Sequence, residues 1–287
     1  METVSEFAAS FRRLAGRDDF RRNPLKAVLK RLIWRARWVA TSRPVELRHQ
    51  AGFSLFATKG ASAALIYYLG SSEPEAAAFI TGFLKPGMVF FDIGAHIGEY
   101  TVMGASCVGA DGQVHAFEAQ PDTAELLRKS CQSNRLQNAL INSCAVSDEE
   151  GELEFSVCSD PTMSAIATST RTRHRILGRI RVPAISLDAY CDRARLCPDL
   201  LKIDVEGAEL RVLHGATGIL SRPLPPAVLF ECLAVTYKRF GYGPQDVIDF
   251  LRGFGYRIYR LAEGGKLVPH VSPVSGALGY NLVALKP

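Results

Sequence analysis

One segment limits what this chain can fold into more than any other: Phe90-Phe91-Asp92-Ile93-Gly94-Ala95-His96-Ile97-Gly98. An apolar run carries an acid near its end and enters a turn that holds two glycines. Such a run fits a strand that brings the chain to the edge of a parallel sheet. Glycines let the backbone approach a ligand, and the helix that follows presents free N–H groups. Taken alone, Gly94 and Gly98 fit a tight turn equally well, because short glycine motifs recur by chance. Asp92 adds the chemical information. A diphosphate site would not place a carboxylate at the mouth of the turn, whereas a site for a cation could.

A second strand pattern, Gly112-Gln113-Val114-His115-Ala116-Phe117-Glu118, also ends in a carboxylate. Glu118 follows Gly94 at close to the spacing at which an acid grips ribose hydroxyls in βαβ nucleotide folds. A nucleoside that is cationic and lacks phosphate meets both conditions. S-adenosylmethionine, with its sulfonium and ammonium, is such a molecule.

The remaining pattern alternates. Strands are expected at 88–92, 113–118, 140–146, 152–157, 199–205, 227–233, 256–261 and 280–285, and helices at 97–107, 121–134, 208–220 and 244–254. Ser72-Glu73-Pro74-Glu75 reads as a helix start, with Ser72 as cap and Glu75 completing a capping box, and that helix runs to about Leu84. Alternation of this kind predicts an α/β, doubly wound, mostly parallel sheet. Its ligand sits outside the carboxyl ends of the strands, where Asp92, Glu118, Asp204 and Glu231 all fall.

Leu201-Lys202-Ile203-Asp204-Val205-Glu206-Gly207-Ala208-Glu209 is the other dense signal. In an extended strand Lys202, Asp204 and Glu206 share one face. Ionisable groups there are costly to bury unpaired. A Lys202–Asp204 ion pair anchoring the strand end is one reading, and Glu206 could simply favour a helix N-terminus. The functional reading makes Asp204, Glu206 and Glu231 candidate catalytic carboxylates. Asp204 and Glu231 could hold Mg²⁺, but two acids are too few to specify a metal, so none is expected. His214, on the following helix, is expected to be solvated.

With these residues in hand, the chain resembles the FkbM-type S-adenosylmethionine-dependent methyltransferases over about residues 70–287. The resemblance rests on Phe91–Thr101, Ala116–Pro121, Ala145–Asp148, Leu201–Glu209 and the tail Asn281–Pro287. It departs at Ala119-Gln120, which alters the turn and not the Glu118 carboxylate. It implies a class I methyltransferase (Rossmann-like) fold, with a seven-stranded sheet whose final strand is antiparallel. It also implies O-methylation of a hydroxyl, on a sugar, glycolipid or secondary metabolite. Carried over by position, Asp92, Gly94, Ala95, His96 and Gly98 lie at the methionine end of the cofactor, Glu118 at the ribose and Ala145 near the adenine.

Charge separates an N-terminal extension, residues 1–70, from the methyltransferase domain at 71–287. Residues 1–43 hold 11 Lys or Arg against 4 acids, and the remainder holds 23 against 25. A nearly neutral body argues against a nucleic-acid enzyme. Residues 24–40 form a basic, amphipathic helix carrying Trp34 and Trp38. Such a helix either packs on the domain with a solvated basic face or lies on an anionic membrane surface. A weak hairpin at 45–58 and one or two helical turns at 62–68 complete the extension. No stretch is apolar enough to span a bilayer. Seven cysteines without paired spacing, and no secretion signal, point to reduced thiols and a cytoplasmic location, with peripheral membrane contact as the alternative.

Asp160–Val182 has no regular pattern and is expected to be a loop. From Pro161 to Leu187 it holds no acid, yet carries Arg171, Arg173, His174, Arg175, Arg179 and Arg181. A basic lid over an anionic acceptor is one reading, and a solvated loop is the other. The competing functions are an NAD(P)-dependent oxidoreductase and a non-catalytic, membrane-associated binding protein. Asp92 and the acid-rich 202–206 segment argue against the first.

Overall fold

The computed structural model describes residues 20–21, 23–168, 175–271 and 279–287. Helix α1 (Pro24–Ala40) precedes a hairpin of β1 (Val45–Arg48) and β2 (Ser54–Ala57), then helices α2 (Ala61–Leu69) and α3 (Pro74–Phe83). The first half of the sheet comes from β3 (Val89–Ile93), α4 (Glu99–Val108), β4 (Gln113–Phe117), α5 (Pro121–Ser133) and β5 (Ala139–Asn142). An arm follows, made of β6 (Ala145–Val146), β7 (Gly151–Cys158), β8 (Ala165–Ile166) and β9 (Ile176–Ile185), and it leads into α6 (Leu187–Ala194). The second half has β10 (Leu200–Ile203), α7 (Glu209–His214), α8 (Thr217–Leu220), β11 (Ala227–Cys232), α9 (Ala234–Tyr237) and α10 (Pro244–Gly253). Strands β12 (Arg257–Leu261), β13 (Leu267–Pro269) and β14 (Tyr280–Leu285) complete it.

The large sheet has the order β13-β12-β14-β11-β10-β3-β4-β5. The five strands from β11 to β5 are parallel, and β14 runs antiparallel to both β11 and β12. Seven strands and an antiparallel last strand match the expectation. The three-residue β13 adds an eighth at the edge. Apolar runs build this sheet because both faces are covered. Phe90 and Phe91 are both fully buried, yet they enter different core clusters on opposite faces. Leu200 and Leu201 divide in the same way. Strand order reverses between β3 and β10, which opens the crevice at their carboxyl ends.

Several local expectations are corrected. The strand expected over 140–146 breaks after Asn142, and Ala145–Val146 leaves the large sheet to pair with β9. Part of Asp160–Val182 is not loop: β8 and β9 pair with β7 in a four-stranded sheet. β9 lacked a signal because its first half is exposed on both faces, so no apolar alternation marks it. Arg171, Arg173 and His174 lie outside the described residues. The helix over 208–220 breaks at Gly215, whose Cβ, if present, would lie 2.1 Å from the Ser147 carbonyl oxygen. Ser72 does not cap α3. The cap position is Glu73, and Ser72 bonds Glu99 instead.

Residues 45–69 are not detached from the body. Leu47, Leu55, Ala63 and Ile66 share one apolar cluster with Ala95, Ile97, Leu126 and Leu127. Ser54 and Phe56 donate their N–H groups to Asn134, at the C-cap of α5, and to Ser130 within it. Helix α1 rests on α2 through Trp34, which stacks on Tyr67 at 5.0 Å. Lys30 Nζ reaches the carbonyls of Tyr67 and Tyr68, each at 3.2 Å. The packed face is therefore aromatic and cationic, and most of the aliphatic residues of α1 point outward. Among the described residues, no helix is long and apolar enough to cross a membrane.

Candidate active site

The turn after β3 is shaped by backbone contact at the switch point. Gly94 has φ 75°, and an added Cβ would sit 1.8 Å from the Asp204 carbonyl oxygen. Only glycine lets β3 and β10 meet this closely. The N–H groups of Gly94 and Ala95 both donate to the Phe117 carbonyl at 3.0 Å, which ties the turn to the end of β4. Gly98 (φ 94°) acts differently: its Cβ would strike Leu127, so it sets the packing of α4 against α5.

One crevice covers this region. Gly94, Ala95, His96, Glu118 and Ala145 line it together with Asp204, Glu206 and Glu231. The sequence thus brings five of the seven proposed cofactor residues and all three proposed catalytic acids to one cavity. Gly98 and Asp92 are not on its wall. Asp92 is fully buried beneath it, accepting a hydrogen bond from Thr101 Oγ1 at 2.6 Å, with Lys202 Nζ 3.6 Å away. Its place is under the turn, where it fixes Lys202.

Glu118 holds the turn from the other side. One carboxylate oxygen accepts from His96 N–H at 2.9 Å, and the other from Gln120 N–H at 2.8 Å. Each oxygen keeps a lone pair for a further donor. Burial pushes its carboxyl up to about 7 against these two hydrogen bonds. His96 (φ 49°) is pushed down to about 4 by burial, so its ring is neutral near pH 7 and poorly suited to hold a proton.

Lys202 is the central cation. Its Nζ lies 3.2 Å from Asp204 Oδ2 and donates to the Gly94 carbonyl at 3.2 Å. It also sits 5.2 Å from the centre of the Tyr100 ring. Burial alone would lower its pKa, but Asp204, Asp92 and Glu73 outweigh that and raise it. The expected side-by-side display of Lys202, Asp204 and Glu206 on one strand is corrected. β10 stops at Ile203, and Glu206 has φ 55° in a left-handed turn. Glu206 reaches the cavity from that turn.

Acid dominates the rest. Glu73, Glu99, Glu118, Asp204, Glu206 and Glu231 line the crevice, with Lys202 as the one Lys or Arg among its described lining residues. Burial, reinforced by Asp204, raises Glu206 well above the ordinary carboxylate range. Burial, then Asp204 and Glu206, pushes Glu231 up to about 10. Glu73, from the start of α3, accepts from Tyr100 Oη at 2.9 Å and from Asn281 Nδ2 at 3.1 Å, which gives the C-terminal Asn281-Leu282 motif a place beside the site. Glu209, buried on the first turn of α7, accepts from the N–H groups of Val205 and Gly207. Asp204, Glu209 and Glu231 each offer a carboxylate oxygen within 4.8 Å of the others.

Glu73 and Glu209 were missing from the sequence-derived site. Glu209 stood inside the 201–209 motif, but nothing in the pattern turned it inward. Glu73 was absorbed by the helix-start reading. His214 is exposed, as expected, beside the Phe250 ring. The roof comes from the arm: Phe155, Pro161, Thr162, Ser164 and Ile166 all line the crevice. Arg179 and Arg181 do not. They face Glu154 and Glu152 along β7.

Comparison with known proteins matches residues 92–258 to the methyltransferase FkbM domain. A 31-O-demethyl-FK506 methyltransferase from Streptomyces tacrolimicus is 31% identical over 46% of this chain and 60% of its own length. A hexuronic acid methyltransferase from Haloferax volcanii is 31% identical over 57% of this chain and 61% of its own length. The matches thus span about three fifths of these two relatives. An S-adenosylmethionine-dependent O-methyltransferase from Thermotoga maritima, of known structure, aligns with a TM-score of 0.42 and 15% identity, covering 85% of this chain and 78% of that one.

Proposed function

The chain belongs to the methyltransferase FkbM domain family, and from that premise we propose that it is an S-adenosylmethionine-dependent methyltransferase acting on a hydroxyl of a sugar, glycolipid or secondary metabolite. The observation that carries this reading is the charge of the crevice. Six carboxyl groups line it with one lysine; a bound cation favours their ionised form, so the lining suits a cationic nucleoside and disfavours a diphosphate. The relatives act on a hexuronic acid and on demethyl-FK506, as their names state, and both kinds of acceptor fall within the proposal.

S-adenosylmethionine, when bound, supplies a methyl carbon activated by a positive sulfur. The chain's own residues do the rest. Glu118 accepts the ribose hydroxyls with its remaining lone pairs. Gly94, Ala95 and His96 form the wall at the methionine end, and Ala145 forms the wall at the adenine. Asp92 acts from beneath, through Lys202. Most of the rate then comes from alignment, worth up to about 7–11 kcal/mol. As the acceptor oxygen takes the methyl group, its proton passes to Asp204, Glu206 or Glu231. Burial holds Glu206 and Glu231 protonated near neutral pH, so either one can serve as the base only after a bound cation has drawn it into its ionised form.

We read the reaction as metal-free. Asp204, Glu209 and Glu231 have the oxygen chemistry a divalent cation prefers, but Lys202 already supplies a fixed positive charge to Asp204. The expected anionic character of the acceptor rests on the basic run 171–175, because Arg179 and Arg181 already face acids. Reversing the charges of Arg173 and Arg175 should raise acceptor KM. A cytoplasmic protein fits the seven free thiols. Titration calorimetry should show binding of S-adenosylmethionine and none of NADH, and Glu118→Ala should weaken the former. No affinity for the methyl donor or its demethylated product, with Glu118→Ala behaving as wild type, would end this reading.

A further inference from the structure

Helix α1 is amphipathic, but it wears its aliphatic face outward. Leu25, Val28, Leu29, Leu32, Ala36 and Val39 recur at the three- and four-residue spacing of one helical face. All are exposed, Leu25 by 84% and Val39 by 89%. The opposite face is spent on α2, where Ala27 and Trp34 are buried. Lys26 and Arg35 are exposed on the two sides of the aliphatic stripe. Lys30, Arg37 and Arg48 line a groove between α1 and β1. The seventeen residues of the helix contain five basic side chains and no acid.

We propose that α1 docks this protein on an anionic phospholipid surface, with the Leu25–Val39 stripe in the acyl boundary and the flanking Lys and Arg side chains at the phosphates. Charge complementarity selects this occupant. A second copy of the same helix would bring two acid-free basic faces together, which costs energy. An anionic bilayer supplies both the apolar layer and the missing negative charge. Docking also has a consequence for the crevice. Ser62, Leu65 and Ile66 of α2 line it, and α2 lies directly against α1. Both helices would then lie between the acyl boundary and the crevice, two helix diameters or roughly 20 Å, so an acceptor carried on a lipid would need an extended headgroup. The docking itself does not rest on methyl transfer, and the two are read separately.

The test is co-sedimentation of the full chain with vesicles of phosphatidylglycerol and phosphatidylcholine, against vesicles of phosphatidylcholine alone. Wild type should pellet with the anionic vesicles, should do so less as salt rises, and should largely ignore the neutral ones. Leu29→Asp/Leu32→Asp should weaken vesicle binding at least about tenfold. Both residues are more than half exposed, so folding and S-adenosylmethionine binding by calorimetry should be unchanged. Three outcomes would overturn the proposal: wild type staying in solution at low salt, as a face covered by the chain's own first 19 residues would give; the double variant binding as well as wild type; or a wild-type dimer that the double variant dissolves, with no vesicle binding by either.

Discussion

Glu118 is clamped by two backbone donors and pushed up to about 7 by burial, so its charge changes near neutral pH. Affinity for S-adenosylmethionine should therefore rise with pH below 7, approaching about tenfold per unit, and level off above. Glu118→Gln should bind weakly at every pH, and calorimetry at pH 5.5 to 8 measures both curves. The sign for folding is opposite. A carboxyl raised in the folded state contributes stability that is fully present below its unfolded pKa and lost as pH rises through about 7. Lys202 gives a second prediction. Lys202→Met leaves Asp92 buried without its cation and should cost about 3–5 kcal/mol in denaturant unfolding. Asp92→Asn should cost less, because Lys202 keeps Asp204 and the Gly94 carbonyl. At this scale Asp92 was visible in the sequence as important, but its depth was not. Alternation places a side chain on a face; it does not say whether that face meets ligand or protein.

Among the elements, the arm decides how closed the crevice is. Asp160 joins it to α2. Its carboxylate accepts from the N–H of Ala61 at 3.2 Å and from both the N–H and the hydroxyl of Thr162. That bond holds Pro161–Ile166 over the pocket. Asp160→Ala should weaken S-adenosylmethionine binding several-fold and speed hydrogen exchange over 160–166, while the melting temperature moves little, since the lost bonds are at the surface. The central strands and α1 were legible because apolar period marks them. Strand β9 was not, because half of it faces solvent on both sides and its pairing with β7 is long-range. The same holds for the break after Asn142, where β6 leaves for a different sheet.

The whole molecule is polarised: an acidic crevice on one side of α2 and a basic, aliphatic helix on the other. Chelation tests the metal-free reading at this scale. EDTA should leave the methylation rate unchanged, and a loss restored by Mg²⁺ would overturn it. The sequence by itself determined the doubly wound sheet, the family and the strand ends that carry Asp92, Glu118, Asp204 and Glu231, because hydrophobic period and glycine turns are local signals written in consecutive residues. Tertiary structure alone decided that Asp92 lies beneath the crevice and not on its wall, that Glu73 and Glu209 turn inward, and that α1 shows its aliphatic side to solvent. Each of these depends on which distant surface packs against a residue, and no spacing along the chain encodes that.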